Sequence, residues 1–468
     1  MIDVDEKTER LGKEPIGRLL LAFSLPAIAG LFANALYNIV DRIFIGRNVG
    51  ETGLAAVTVA FPLFELSIAL CLLVCVGAAS IASRSLGAGR KKRAELILGN
   101  AFTLSVIIAI FICLGMASSL ESALKLFGAS EDILGPARDY MVIVLYGMPF
   151  FVISFVLNSL IRAEGSPRWA MGTLVLGTGA NIFLDWLFIC HLGWGIKGAA
   201  WGTTISEFLS CLWVAIYYLK YSVLKIKYRN LKPRASLMGS ILSIGITPCI
   251  TSISFAVLLV LLNQRALRLG GDLAVSSVGI FLTLDTLFFL PALGISEAAQ
   301  PIIGYNYGAG LYQRVRKAIL LAFGACLLVF SLSWFSTQFF AGRIVQIFCN
   351  DNLTLIHMTS RALRVGYIFL PAAAVFVVTS YTLQSLGRAR EALFIQLVRQ
   401  LGICYPAVLI MPSFLGLDGI WMAFPATDLG GSILAFFAIR RELKKLREEE
   451  KTVHPKLEVV ANRSGGCR

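Results

Sequence analysis

Residues 16–45 read IGRLLLAFSLPAIAGLFANALYNIVDRIFI. Apart from Arg18 near one end and the Asp41-Arg42 pair near the other, the run carries no charge. It exceeds the ~20 apolar residues that a helix needs to cross the hydrocarbon core of a bilayer. Pro26 lies inside it and removes one backbone hydrogen bond, so a kink or hinge is expected there. Asn34, Tyr37, Asn38 and Asp41 recur at helical spacing and form a polar stripe on an otherwise apolar rod.

Segments of this kind recur along the whole chain. They fall at roughly 16–45, 54–82, 95–118, 136–161, 169–191, 197–219, 239–264, 273–302, 317–341, 360–386, 392–412 and 418–440. The bulk composition agrees: 57% of the 468 residues are hydrophobic, 15% are charged, and the mean hydropathy is +0.76. A soluble domain carries about 25% charge. The expected fold class is therefore an all-α integral membrane protein of twelve transmembrane helices.

The net charge is +14, and its placement is informative. With both termini cytoplasmic, 31 of the 42 Lys and Arg fall on the inner side, including Arg90-Lys91-Lys92-Arg93 and the stretch Lys220–Arg234. This is the basic-loop bias that orients membrane proteins, and it predicts a multi-pass protein of the cell membrane. No nucleic-acid partner is expected, because no folded basic domain exists to bind one.

The chain also repeats itself. Gly87-Ala88-Gly89 matches Gly308-Ala309-Gly310 at an offset of 221, and Pro149 and Gly165 match Pro371 and Gly387 at 222. Gly195 and Gly198 match Gly416 and Gly419 at 221, which sets Glu207 opposite Asp428. Six helices per half is an even number, so the halves are expected to be parallel, related by a pseudo-twofold axis along the membrane normal. The expected organisation is a cytoplasmic segment 1–15, a six-helix lobe 16–219, a basic linker 220–238, a second lobe 239–440 and a charged tail 441–468 that ends without order beyond 462. Two such lobes suit alternating access around a site within the membrane.

Acidic residues inside spans cost roughly 2.5–3.5 kcal/mol each on insertion scales, so each needs a partner, a water-filled cavity or a function. The candidates are Asp41, Glu65, Asp185, Glu207, Asp285, Glu297 and Asp428. Asp41 lies far along the first span. Asp185, sixteen residues past Trp169, is displaced about 24 Å along the fifth span, which places it in the same half of the bilayer. Asn181 shares its face, and Thr203 and Glu207 follow one turn apart in the sixth span. Two carboxylates with an amide and a hydroxyl form a hard oxygen set, suited to Na⁺ or to a proton held between carboxylates. The bland alternative is an interhelical hydrogen-bond network, or neutralisation of Asp41 by Arg42 or Arg47. Asp285 is a candidate for attracting cationic substrates, Glu297 reads as structural, and Asp428 mirrors Glu207.

The ten Cys and three His form no metal-ligand spacing. No Walker-type phosphate loop, K⁺-channel filter or nucleophile elbow occurs, so enzymatic chemistry is not expected.

The stretches Tyr37-Asn38-Ile39-Val40-Asp41-Arg42-Ile43-Phe44-Ile45-Gly46, Leu86-Gly87-Ala88-Gly89, Arg162-Ala163-Glu164-Gly165 and Gln300-Pro301-Ile302-Ile303-Gly304-Tyr305-Asn306-Tyr307-Gly308-Ala309 resemble the multidrug and toxic compound extrusion (MATE) family, in particular a bacterial branch of it. The likeness covers roughly residues 15–440. It implies export of small-molecule drugs or toxic organic cations by antiport with Na⁺ or H⁺, from a monomer surrounded by lipid and with no cofactor besides the coupling ion. It also implies a cation site at Asp41, Asn181, Asp185 and Thr203, a hinge at Pro26, and cavity positions at Tyr37 and Asn158 beside Asn34, Asn38, Glu207 and Asp285. A second branch of the family uses an acid in the seventh helix, and residues 239–263 here contain none. The alternatives are a lipid-linked precursor flippase of the same superfamily or an uncoupled facilitator.

Overall fold

The computed structural model describes residues 6–348 and 352–464. A short α1 (Glu6–Lys13) precedes α2 (Ile16–Asn48), α3 (Glu51–Gly87), α4 (Lys91–Leu126), α5 (Glu131–Ala163) and α6 (Pro167–Asp185). A π-helical turn, Trp186–His191, extends α6 and leads to α7 (Gly195–Lys220). The second half holds α8 (Ala235–Gly308), α9 (Tyr312–Gln346), α10 (Leu353–Gly366), α11 (Ala373–Leu386), α12 (Ala389–Leu397), α13 (Tyr405–Leu415) and α14 (Leu417–Ser464).

Among the described residues there is no strand, and ten helices are long and apolar enough to span a bilayer. The pair α10 and 370–386, bent by 45°, makes an eleventh crossing. The 74-residue α8 supplies two, because it folds back at Gly271, whose φ of 63° lies in the left-handed region that glycine adopts without steric cost. Twelve spans result, as the sequence predicts. Their outer surfaces keep large apolar side chains exposed, such as Phe111 at 68% and Phe414 at 82%, as lipid contact requires. α14 runs from Leu417 through Ser464, and residues 465–468, most of the tail end expected to lack order, lie outside the described residues.

Backbone conformation repeats with the sequence. Gly50 and Gly271, Gly89 and Gly310, Gly165 and Gly387, and Gly195 and Gly416 all have positive φ, and each pair is separated by 221 or 222 residues. The same turns therefore close corresponding helices in both halves.

The compact units do not follow chain order. One unit contains residues through Arg10, Leu25–Leu86 and Arg90–Ile253; the other contains Leu11–Ser24, Gly87–Gly89 and Ser254–Arg468. The boundary thus cuts across two continuous helices, α2 just before Pro26 and α8 after Ile253. Physical causes are visible within each unit. In the first, a Cβ on Gly77 would collide with the Ile241 carbonyl, and one on Gly245 with that of Leu73, so α3 and the start of α8 pack backbone against backbone. In the second, Asn306 Nδ2 donates to the Leu11 carbonyl at 2.9 Å, and Arg314 Nη2 donates to those of Leu11 and Glu14 at 3.1 and 2.6 Å. These bonds hold the end of α1 and the turn leading into α2 among the helices of the second half.

The basic linker lies along α4. Lys227 Nζ meets Glu95 Oε2 at 2.8 Å, Arg234 N donates to Asn100 Oδ1 at 2.8 Å, and Thr103 Oγ1 donates to the Leu231 carbonyl at 2.7 Å. Glu164, in the turn after α5, is fully buried and accepts from Tyr217 Oη, Ser222 Oγ and Val223 N. That carboxylate fixes the end of α7 to the turn between α5 and α6.

Candidate coupling site

The first unit brings together four side chains that the sequence singles out. Asp41 on α2, Asn181 and Asp185 on α6 and Thr203 on α7 are 6%, 2%, 0% and 4% exposed. The Asp41 and Asp185 carboxyls interact directly. Gly202 makes room for this: a Cβ there would overlap Asp185 Oδ1, so only the hydrogen of glycine lets the carboxylate lie against α7. Arg42 does not answer Asp41 with an ion pair; its guanidinium lies over the Phe61 ring, 5.7 Å from the centroid.

The decisive feature is what these atoms lack. Asp41 Oδ1, both carboxylate oxygens of Asp185, both amide atoms of Asn181 and Thr203 Oγ1 are buried with no hydrogen-bond partner. Buried polar atoms are nearly always satisfied, and each orphan costs about 1–3 kcal/mol, more when charged. Two ionised carboxylates side by side in a buried site would repel each other, and burial strengthens that repulsion. Asn181 Nδ2 apart, which is a donor, the five oxygens form a cradle that a monovalent cation or bound protons would satisfy. The donor set fits Na⁺: carboxylate, amide and hydroxyl oxygens are hard ligands. Among the described residues no group of three or more His, Cys, Asp or Glu could hold a metal by acidic and soft ligands alone.

The other candidates are distributed unevenly. Tyr37 joins the site and interacts with Asp41, Asp185, Glu207 and Thr203. Asn34 is exposed, and Asn38 donates its amide to the Asn34 carbonyl at 2.9 Å on its own helix. Asn158 is buried on α5 and accepts from Thr173 Oγ1 at 3.4 Å. Glu207 borders a recess beside Thr203. Asp285 belongs to the second unit, where Tyr367 Oη donates to it at 3.2 Å. Asp428 there pairs with Arg399 at 3.3 Å. Pro26 lies inside an α2 that continues through it. Tyr140, only 3% exposed on α5, reaches Asp41, Tyr37 and Thr203. The sequence does not mark it, because a tyrosine in an apolar span gives no signal of its own.

The model of the MatE family matches residues 26–187 and 244–408. The chain belongs to the MatE family. Members of this family are membrane transporters, so this chain is a transporter and not an enzyme. Multidrug export protein MepA of Staphylococcus aureus (strain N315) is 27% identical over 429 residues, covering 91% of this chain and 94% of that one. A MOP superfamily transporter from Pyrococcus furiosus, whose binding pocket is described as having reverse polarity, is 27% identical with a TM-score of 0.87, covering 94% of this chain and 98% of that one. A MATE protein solved in the bent conformation is 26% identical with a TM-score of 0.89, covering 95% and 99%. This agreement in fold extends over nearly the whole of the MatE chain described above.

Proposed function

We propose that this MatE transporter is a secondary active exporter of lipophilic organic cations, working as a monomer in the cell membrane with both termini cytoplasmic. Inward Na⁺ or H⁺ is exchanged for outward drug at Asp41 and Asp185. The observation that carries this reading is the set of six orphaned polar atoms on Asp41, Asn181, Asp185 and Thr203. The relatives named for multidrug export support the substrate class.

The chain's own residues divide the work as follows. Asn181 and Thr203 offer neutral oxygens that orient the ion, and the two carboxylates supply charge. Loading cancels charge beside Tyr37 and Tyr140 and relieves the repulsion between the carboxylates. Because α2 passes from one compact unit to the other immediately before Pro26, a change in how Asp41 packs acts on a helix whose leading turn is held in the second unit by Arg314 and Asn306. Pro26 lacks the backbone donor that would stiffen this point.

Everted vesicles test the reading. Ethidium accumulation should depend on an outward-to-inward Na⁺ or pH gradient in the wild type. Asp41→Asn and Asp185→Asn should each abolish it while the protein remains in the membrane. Accumulation that ignores both gradients would make the protein an uncoupled facilitator.

A further inference from the structure

Counted from Leu417, the ~20 residues that cross the hydrocarbon core end near Phe437, and α14 continues beyond them as one helix. Its exposed apolar side chains Leu429, Ile433, Phe436 and Phe437, 40–63% exposed, lie on one side of the span. Arg440, Lys444, Arg447 and Lys451 follow, all exposed. At 3.6 residues per turn, their spacing of 4, 3 and 4 residues keeps these cations within an arc of about 60°, in line with Ile433 and Phe437. The face that meets acyl chains thus runs without rotation into a cationic stripe.

Residues 440–451 are not cationic throughout: they hold six Lys or Arg and four Glu. Their positions on the helix sort them. Glu442 is buried, where it pairs with Arg388 at 3.4 Å and with Lys445, and Glu450 pairs with Arg316 at 3.0 Å. These contacts with α9 and with the turn between α11 and α12, together with the buried Leu446, fix the rotation of α14 and turn the stripe outward. The one acid beside the stripe is Glu448, 4.0 Å from Lys444, and both side chains are so exposed that the pair is worth little. Like charges three and four residues apart repel, and a solvated helix relieves this by alternating signs at those intervals. The basic-loop bias that orients a membrane protein depends on the number of cations near a span, so it does not require them to share one face.

We propose that this stripe is a binding site for an anionic phospholipid of the leaflet at which α14 leaves the membrane. Arg440, Lys444 and Arg447 hold the phosphodiester, and the acyl chains lie along Ile433, Phe436 and Phe437. The headgroup layer is about 5–8 Å deep. Cα–Cβ bonds of a helix tilt toward its N-terminus, which on α14 is toward the bilayer. Lys444 and Arg447, about 10 and 15 Å past Phe437, therefore lean back to that layer on their long side chains. The arginines offer planar forks that match two phosphate oxygens, and the lysine adds a point charge. A zwitterionic headgroup carries its own cation and gains less from the same face. Continuity with the apolar stripe makes the occupant a lipid and not a soluble phosphate. The inference concerns the exposed face of one helix and stands apart from the exporter reading.

The test is native mass spectrometry of the full-length protein in detergent, titrated with phosphatidylglycerol and, separately, with phosphatidylcholine of the same acyl chains. Each cation near an anionic lipid surface strengthens association ~5-fold, so three supply on the order of 100-fold. The wild type should bind its first phosphatidylglycerol at least 10-fold more tightly than phosphatidylcholine. The triple variant Arg440→Gln, Lys444→Gln, Arg447→Gln should lose at least 10-fold for phosphatidylglycerol and stay within about twofold for phosphatidylcholine, which shows that it is folded. Arg440→Lys with Arg447→Lys, which keeps the charge, should stay within about fivefold of wild type. The control is Arg90→Gln, Lys92→Gln, Arg93→Gln at the start of α4, which removes the same charge elsewhere and should leave the first phosphatidylglycerol within about twofold. Unchanged phosphatidylglycerol affinity in the α14 triple variant, or an equal loss in the α4 control, overturns the proposal. Displacement of the lipid by glycerophosphoglycerol, the headgroup without acyl chains, at matched concentration also overturns it, because the site would then be one for a soluble phosphate.

Discussion

Gly202→Ala should disable coupling without altering any ionisable group. The added methyl would lie closer to Asp185 Oδ1 than the 3.0 Å that real Cβ atoms keep. Asp185 is 0% exposed, so its carboxylate must shift by about 1 Å within a packed interior or α7 must move. Overpacking of this kind costs about 1–3 kcal/mol, and a cost borne by the loaded geometry weakens ion binding by ~5–150-fold. The assay is the Na⁺ or pH gradient needed for half-maximal ethidium uptake, measured beside Gly179→Ala. Gly179 lies on the same helix as Asp185, and a Cβ there meets nothing within 4 Å. Gly179→Ala should behave as wild type. If Gly202→Ala transports with an unchanged ion requirement, Asp185 does not bind the coupling ion in the geometry described.

Three further outcomes follow from other parts of the molecule. Burial holds the Glu164 carboxyl up at about 7, against an ordinary value of 4.5, despite donors from Ser222, Val223 and Tyr217. The folded state therefore retains this proton longer than the unfolded chain does, its stabilising effect is full below pH ~4.5 and disappears as pH rises through ~7, and Glu164→Gln should flatten the pH dependence of melting temperature across that window. Arg399→Gln should destabilise the protein by roughly 3 kcal/mol in chemical denaturation, because it leaves Asp428 buried without its cation, and Asp428→Asn on that background should restore most of the loss. Reporters fused at Lys91 and Lys227 should read cytoplasmic and those at Ser130 and Gly270 external; the reverse at Lys91 and Ser130 would invert the orientation.

Much of this architecture was legible in the residues. Apolar length marked the spans, and the glycine offsets marked the repeat, because the same turns need the same left-handed conformations at Gly89 and Gly310 or Gly165 and Gly387. Helical spacing put Asn181 and Asp185 on one face of their span, and the structure gathers them with Asp41 and Thr203, since short-period faces survive packing. The polar stripe on α2 was less informative. Asn34 shares a side with Asp41 but lies seven residues away, about 10 Å along the axis, so a common face did not bring it to the site. Asn38 spends its amide on its own backbone. The transfer of residues 11–24 and 235–253 between compact units was not legible, because α2 and α8 continue unbroken through Ser24 and Ile253. What decides it are contacts 300 or more residues apart, such as Arg314 with the Leu11 and Glu14 carbonyls. Gly202 and Tyr140 matter through space rather than pattern, and nothing local marks them.

Mutual exclusion of ion and drug through Asp41 and Asp185 is the proposed basis of antiport. It is tested most directly by titrating ethidium into purified protein across Na⁺ concentrations and pH, and then the ion into protein at fixed ethidium. Linkage requires both titrations to give the same factor. The expected coupling is about 1–3 kcal/mol, so saturating ion should lower ethidium affinity ~5–150-fold in the wild type and leave it unchanged in Asp41→Asn and Asp185→Asn. Ethidium affinity in the wild type that responds to neither ion would contradict antiport at this site.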